Sequence, residues 1–328
     1  MKLLVTGAAG FVGRAVVEAA AAEHEVIAAA RTTHPAPWIE EIGVRRLQLD
    51  LGYGPASGPR NTKLQGALRG VDAVIHCAGR VKWGTRAEYA RDNPTATEEV
   101  LDAARRADVQ RVVHVGSTAV YGDRSVERGP VSEDSPLGYR VSRLDRYSQS
   151  KIAAEEVVLD AMAAGELEVV SVRPGWIIGP GDKNLRELAQ ALDGPAFPVM
   201  GGGTNRLPVT SVGSVARALL LAATTPGAAG RVYNVAQDEV ISQRAFYELV
   251  AEIAGVTPRL LPVPYDLMYA GGIVGELLAR VVPGEPPILA RPAVILLGRD
   301  ADIPTTRIRE ELGWEPVAPI RDVIASAF

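Results

Sequence analysis

Three polar side chains in this sequence have the types and spacing for proton chemistry. Tyr147 and Lys151 stand four apart in RYSQSKIAAEE, so on a helix both lie on one face. A phenol has an ordinary pKa of about 10, and acid/base work near neutrality requires a fall of roughly three units, about 4 kcal/mol. One cation about 4 Å away, at an effective dielectric near 20, supplies about that much. In magnitude, then, Lys151 suffices to make Tyr147 an acid/base. Ser117, in VVHVGSTAVYG, is the third. A hydroxyl there can hydrogen-bond a carbonyl or alcohol oxygen, with Thr118 beside it as an alternative. Each has a plainer reading: an incidental pair on a surface helix, and a strand-end turn or helix cap.

These residues need a scaffold, and the first seventeen residues, MKLLVTGAAGFVGRAVV, supply its pattern. Leu3 to Val5 is a short apolar run, which reads as a buried parallel strand. Gly7, Gly10 and Gly13 follow at spacing three and three. Phe11, Val12, Val16 and Val17 then open an apolar pattern of helical period. Strand, glycine turn and helix have the layout of a dinucleotide-binding unit, in which the helix N-terminus faces the pyrophosphate; the plainer reading is a glycine-rich turn in some other α/β protein. Further strands are expected over 25–30, 45–50, 71–76, 111–115 and 169–173. Helices are expected over 64–68, 87–107 (with Pro94 at a kink or near the start) and 147–162. Turn-rich stretches lie around Pro35 and Pro37, over 53–59 and over 122–145.

Alternating strands and helices predict an α/β fold, a Rossmann-type doubly wound parallel sheet with helices on both faces. Ligands in such sheets lie beyond the carboxyl ends of the strands. The glycine turn, Arg31, Asp50, Gly79, Ser117 and Pro174 all fall at such ends. We assign 1–180 to the dinucleotide-binding domain and 181–328 mainly to a smaller C-terminal substrate-binding lobe, with 211–240 returning to the sheet. In that half, helices are expected over 214–223, 242–254 and 307–312, and a strand over 231–235.

The bulk numbers exclude several classes. The chain has 328 residues, 47% hydrophobic and 23% charged, with net charge −4. No basic run is present, so no nucleic-acid partner is expected. The single Cys77 forms no internal disulfide and fits a reducing cytoplasm, and no signal peptide is evident. Four scattered histidines lack ligand spacing, so no metal is expected. Leu267 to Val282 is apolar but short and interrupted by Glu276 and Arg280, so no membrane span is expected. It reads as a core or subunit-interface helix, or as a wall of an apolar substrate pocket.

Taken together, TGAAGFVG, HCAG (76–79), STAVYG (117–122), YSQSK (147–151), RPGWIIGPGD (173–182), VYNVA (232–236) and LGWEP (312–316) resemble the extended short-chain dehydrogenases/reductases, the NAD-dependent epimerase/dehydratase family. The resemblance spans nearly the whole chain. It implies a catalytic Ser117, Tyr147 and Lys151, with Lys151 also holding the nicotinamide ribose. It further implies cofactor contacts at Gly7, Gly10, Phe11, Val12 and Gly13 (pyrophosphate turn), Asp50 and Leu51 (adenine), Ala78, Gly79 and Asn93, and Pro174 and Gly175 (beside the nicotinamide). A homodimer is implied as well. Dehydratases of this family carry an acidic pair after the catalytic hydroxyl. Here Thr118 and Ala119 stand in its place, which argues against dehydration. Where an Asp pair often precedes the helix at Ser214, this chain reads VTSVGSVA.

Two branches remain. GDKNL (181–185) and GGGTNRLPV (201–209) look like the 3β-hydroxysteroid dehydrogenase-like branch. That implies hydride transfer between nicotinamide and a ketone or secondary alcohol of an apolar small-molecule substrate, sterol-, polyketide- or β-keto-acyl-like. The alternative is a nucleotide-sugar epimerase with tightly bound NAD. A cofactor-sensing protein without turnover is disfavoured by the intact Ser117, Tyr147 and Lys151. NAD users place an acid at the end of the second strand. This chain has Ala30 and Arg31 there, and a guanidinium can bind a 2′-phosphate bidentately. NADP(H) is therefore the expected cofactor, with NAD(H) possible. Arg206 and Arg291 are candidates for an anionic substrate group, or else solvated surface residues.

Overall fold

The computed structural model describes residues 1–31, 36–52, 61–122, 129–143, 145–236, 239–278, 291–298 and 300–328, with backbone alone for 276–278 and 291–293. The loop expected over 53–59 and residues 32–35 of the earlier turn lie outside these residues. So do 123–128 and 144 of the long loop, and 279–282 of the apolar stretch.

Seven parallel strands form one sheet: β1 (Lys2–Thr6), β2 (Glu25–Ala30), β3 (Arg45–Gln48), β4 (Ala73–His76), β5 (Arg111–Val115), β6 (Glu168–Pro174) and, from the C-terminal half, β11 (Val232–Val235). Their order is β11-β6-β5-β4-β1-β2-β3. The order reverses between β1 and β4, which is where such sheets open a crevice for a ligand.

Side chains alternate across the sheet, as the two-residue period of a strand requires. Leu3 and Val5 face a core built with α1 (Phe11–Ala20) and α8 (Val212–Thr224), containing Val16, Val17, Val215 and Leu219. Leu4 and Ile27 face the opposite core, with Leu64 of α3 (Thr62–Ala67), Val100 of α5 (Ala96–Arg106) and Val158 of α6 (Arg146–Ala164). Each buried leucine, isoleucine or valine contributes about 1.5–3 kcal/mol. The short α2 (Trp38–Glu41) adds Ile39 to the first core.

The helix expected over 87–107 is divided. It comprises α4 (Arg86–Ala90), a π turn at Arg91–Thr95 and α5. Pro94 cannot donate to an i−4 carbonyl, and the wider turn absorbs the mismatch. Asp145 caps α6 by accepting from the Ser148 amide at 3.0 Å, and Gly165 ends it in the left-handed conformation.

The C-terminal half contributes two-stranded pieces. β7 (Trp176–Ile178) pairs in parallel with β10 (Val209–Ser211), and β8 (Phe197–Met200) with β13 (Leu260–Val263). β9 (Arg206–Leu207) pairs antiparallel with β12 (Ile241–Ser242). Around them lie α7 (Lys183–Leu192), α9 (Gln243–Ala254), α10 (Tyr265–Leu278), α11 (Arg291–Gly298), α12 (Thr306–Leu312) and α13 (Ile320–Ala325). Leu188, Phe197, Phe246, Tyr247, Val250 and Ile324 centre a separate apolar cluster. Among the described residues no helix is long and apolar enough to cross a membrane.

Candidate active site

The three proton-handling residues meet beyond the carboxyl end of β5. Ser117 is extended and begins a 3₁₀ turn over Thr118–Tyr121, where its hydroxyl accepts from the Ala119 amide at 3.2 Å. The cap and the catalytic reading therefore coexist on one hydroxyl. The Tyr147 hydroxyl donates to Ser117 Oγ at 3.5 Å, a long contact of the kind that tightens when a substrate oxygen arrives. One turn later on α6, Lys151 Nζ donates to the Val115 carbonyl at 2.8 Å. Lys151 is buried, and burial lowers its pKa to about 8.

The expectation that Lys151 brings the phenol down is not what this arrangement gives. Burial of the hydroxyl raises the Tyr147 pKa, and the Ser117 hydrogen bond opposes this only in part. The Lys151 ammonium is not among the influences on the phenol, and its hydrogen bond goes to the Val115 carbonyl. The phenol is thus held protonated, which suits a proton donor.

Asn93 joins this group from the π turn. Its Nδ2 donates to Ser150 Oγ at 2.7 Å, and its Oδ1 accepts from the Arg80 amide at 2.7 Å. Ser150 Oγ in turn donates to the Tyr147 carbonyl at 2.8 Å, so Asn93 fixes the first turns of α6. The irregular turn places this side chain where a regular helix would not.

The glycine turn has close backbone packing that fits a dinucleotide cradle. Gly7 has φ +67°, and a Cβ there would lie 2.7 Å from the Ala78 amide nitrogen. A Cβ on Gly13 would lie 2.2 Å from the Gly7 carbonyl, so only glycine lets α1 approach β1 this closely. Gly10 is exposed and caps α1 without a side chain, leaving the amides of Phe11 and Val12 at the mouth of the helix. Ala78 is held by its amide donating to Thr6 Oγ1 at 3.2 Å. A Cβ on Gly79 would lie 3.1 Å from Asn93 Oδ1. Pro174 ends β6, and a Cβ on Gly175 would lie 2.1 Å from the Pro208 carbonyl. Asp50 is exposed just past β3, whereas Leu51 is buried in the core beside Leu64.

Arg31 stands at the end of β2, three strand spacings or about 14 Å from β5. Its Nη2 lies 3.2 Å from Asp92 Oδ2, which also takes Arg80 Nε at 2.9 Å, while Oδ1 takes Arg91 Nε at 2.7 Å. Asp92 is buried. Sequence reasoning missed this carboxylate, although its place beside Asn93 was a usable signal. Arg206 pairs with Asp300 and Asp302. The Arg291 side chain lies outside the described residues. Among the described residues no cluster of His, Cys, Asp and Glu could hold a metal.

Comparison with known proteins places this geometry in a family. The NAD dependent epimerase/dehydratase family matches residues 3–236. A 4-hydroxy-2-methyl-3-oxo-4-farnesyl-3,4-dihydroquinoline-1-oxide ketoreductase of Stigmatella aurantiaca is 33% identical over 96% of this chain and 92% of its own. A decarboxylating sterol-4-alpha-carboxylate 3-dehydrogenase of Mus musculus is 26% identical over 79% and 74%. The solved structure of MoeE5 with UDP-glucuronic acid and NAD superposes with a TM-score of 0.73, at 27% identity over 100% and 97% of the two chains. The chain belongs to the NAD dependent epimerase/dehydratase family, the extended short-chain dehydrogenases/reductases, in their 3β-hydroxysteroid dehydrogenase-like branch. It is a nicotinamide-dependent oxidoreductase of that type.

Proposed function

We propose that this enzyme transfers hydride between a nicotinamide cofactor and a ketone or secondary alcohol of an apolar substrate, with Tyr147 as the acid/base. The observation that carries the reading is the Tyr147–Ser117 contact at 3.5 Å, backed by Lys151 on the Val115 carbonyl. In the reductive direction Ser117 Oγ donates to the substrate oxygen and orients it. Tyr147 Oη delivers its proton to the same oxygen, and Lys151, as the family resemblance implies, holds the nicotinamide ribose. The glycine turn, Ala78, Gly79, Pro174 and Gly175 hold the cofactor, which when bound supplies or accepts the hydride. Asp50 and Leu51 border the adenine.

The lobe of 181–328, outside β10, α8 and β11, is assigned to the substrate. Its apolar cluster and the engagement of Arg206 with Asp300 and Asp302 favour an apolar ketone over a nucleoside diphosphate. The ketoreductase and sterol-dehydrogenase relatives support the same choice. NADP(H) is assigned as the preferred cofactor, because the end of β2 carries Arg31 and no acid. A homodimer is carried over from the family, and a cytoplasmic location rests on the single Cys77.

The testing experiment pairs Tyr147→Phe with the wild type. Turnover of ketones should fall by about 10³-fold, within the range for removal of a general acid, while cofactor affinity changes by less than about twofold. Undiminished turnover removes Tyr147 from the mechanism. The likeness to MoeE5, solved with UDP-glucuronic acid and NAD, keeps the nucleotide-sugar epimerase alternative in view. NAD released only by denaturing the purified wild type would favour that reading.

A further inference from the structure

Behind the catalytic face, α6 carries a third ionisable side chain in line. Tyr147, Lys151 and Glu155 follow at intervals of four and share one face of the helix. Glu155 is fully buried. Its Oε1 accepts from Ser171 Oγ and from Arg173 Nε, each at 2.8 Å. Its Oε2 is buried without a hydrogen-bond partner among the described residues. That oxygen lies against Gly116, where a Cβ would sit 2.8 Å from it. Gly116 separates Val115, whose carbonyl holds Lys151, from Ser117. One carboxylate thus abuts the backbone that positions both the lysine and the serine.

The charges around Lys151 come from four elements. From the end of β4 come His76 and the adjoining Cys77, from β5 His114, from β6 Arg173, and from α6 Tyr147 and Glu155. Burial keeps both histidines neutral, and it keeps the thiol and phenol protonated. Two cations, Lys151 and Arg173, then share one anion, Glu155. Two buried like charges without an anion are strongly disfavoured, and lysine, unlike arginine, escapes by losing its proton.

We propose that Glu155 is a positioning residue, whose carboxylate keeps the Lys151 ammonium charged and seated on the Val115 carbonyl. The proposal rests on Lys151 being the cation of the active site, and goes beyond that reading by naming what maintains the charge. Arg173 competes for the same carboxylate, so the Glu155–Arg173 ion pair sets how much of its field reaches the lysine. Burial opposes the charge on Lys151, and Glu155 is the largest influence in its favour.

The experiment reads the lysine directly. The chain has five lysines, so ¹³Cε-lysine labelling with Lys151→Met as the assignment control gives a resolvable titration of Lys151. In Glu155→Gln, which keeps the size and one acceptor, the Lys151 midpoint should fall by at least about one pH unit, roughly 1.4 kcal/mol of lost charge stabilisation. The alkaline limb of kcat should move down with it. An unmoved midpoint in a folded variant overturns the proposal, even if stability drops. Should Glu155→Gln not fold, Ser171→Ala removes one donor from the same carboxylate, strengthens its field, and should move the midpoint upward. A downward or null change there overturns the proposal equally. If Lys151→Met retains full turnover, the assignment of the active-site cation fails instead, and the titration still reports on Glu155 independently.

Discussion

The carboxyl end of β5 and β6 and the C-terminal lobe bury opposite kinds of side chain. Beneath the candidate active site, Lys151, Glu155, Arg173, His76 and His114 are all nearly or fully buried. Arg173 alone engages Glu155, the Tyr121 hydroxyl at 2.8 Å and the Glu133 carbonyl at 3.1 Å. The lobe instead packs Phe197, Phe246, Tyr247, Val250 and Leu297 around a buried Gln243, whose amide bonds the Leu297 carbonyl and the Met200 amide. The first region holds charge that burial penalises, as proton chemistry requires. The second holds apolar volume that stabilises the fold. On the proposed reading, the proton-handling residues sit on α6 and at the end of β5, against the rigid sheet, and the substrate is met by short elements that can vary without disturbing it.

The largest expected effect tests whether the lobe is stabilising volume. Phe246 is fully buried, with Trp176 at 5.2 Å between ring centroids and Tyr247 at 6.3 Å. Phe246→Ala leaves a cavity and should cost about 3–5 kcal/mol of stability, read from urea midpoints. Under native conditions the cofactor affinity of the same variant should stay within about twofold. A parallel loss of cofactor affinity would break the division between the two regions.

The next effect has the opposite sign and belongs to the charged region. Lys151 carries a pKa of about 8 in the folded chain against an ordinary 10.5. Between those values the unfolded chain binds more protons, so stability should rise with pH across that window, by at most about 3 kcal/mol. Activity should fall over the same window as the ammonium is lost. Lys151→Met removes the penalised charge and leaves Glu155 paired with Arg173. It should therefore abolish turnover yet gain about 1–3 kcal/mol of stability at pH 7, a gain that shrinks by pH 10. A variant less stable than wild type at pH 7 would mean that the seat on Val115 outweighs the burial penalty.

These contrasts also explain what the sequence could reveal. The sheet was legible because most of its strands are apolar runs, β3 with its sequence RRLQ being the exception, and several end at a residue of special type. Gly7, Arg31, Gly79, Ser117 and Pro174 mark those ends by their side chains or lack of them. The pair Tyr147 and Lys151 was legible because helical period alone puts them on one face. Glu155 obeys the same period and was overlooked, since a glutamate on a helix ordinarily faces water. Only the burial of α6 against β6 makes it exceptional. The π turn at Arg91–Thr95 and the Asp92 cluster depend on how Pro94 is accommodated, which no local pattern fixes. The lobe was least legible: strands as short as Arg206–Leu207 and Ile241–Ser242 exist through pairing distant in sequence, not through propensity.

The smallest expected effect lies at the other end of the sheet and sharpens the comparison within it. Arg31 is tethered to Asp92 through a buried oxygen that it shares with Arg80, and its side chain remains 38% exposed. One edge of the guanidinium is thus anchored while the exposed remainder is free to meet a phosphate. Arg31→Glu would place a second carboxylate beside Asp92 and oppose a 2′-phosphate. NADPH affinity should fall at least about tenfold, roughly 1.4 kcal/mol, while NADH affinity changes by less than about threefold. With saturating cofactor the turnover number should hold, because Arg31 stands about 14 Å from β5 and touches no proton-handling group. Equal losses for the two cofactors would make Arg31 a structural partner of Asp92 alone. A fall in turnover at saturation would mean that the two ends of the site are coupled through Asn93, which lies next to Asp92 and holds Ser150 of α6.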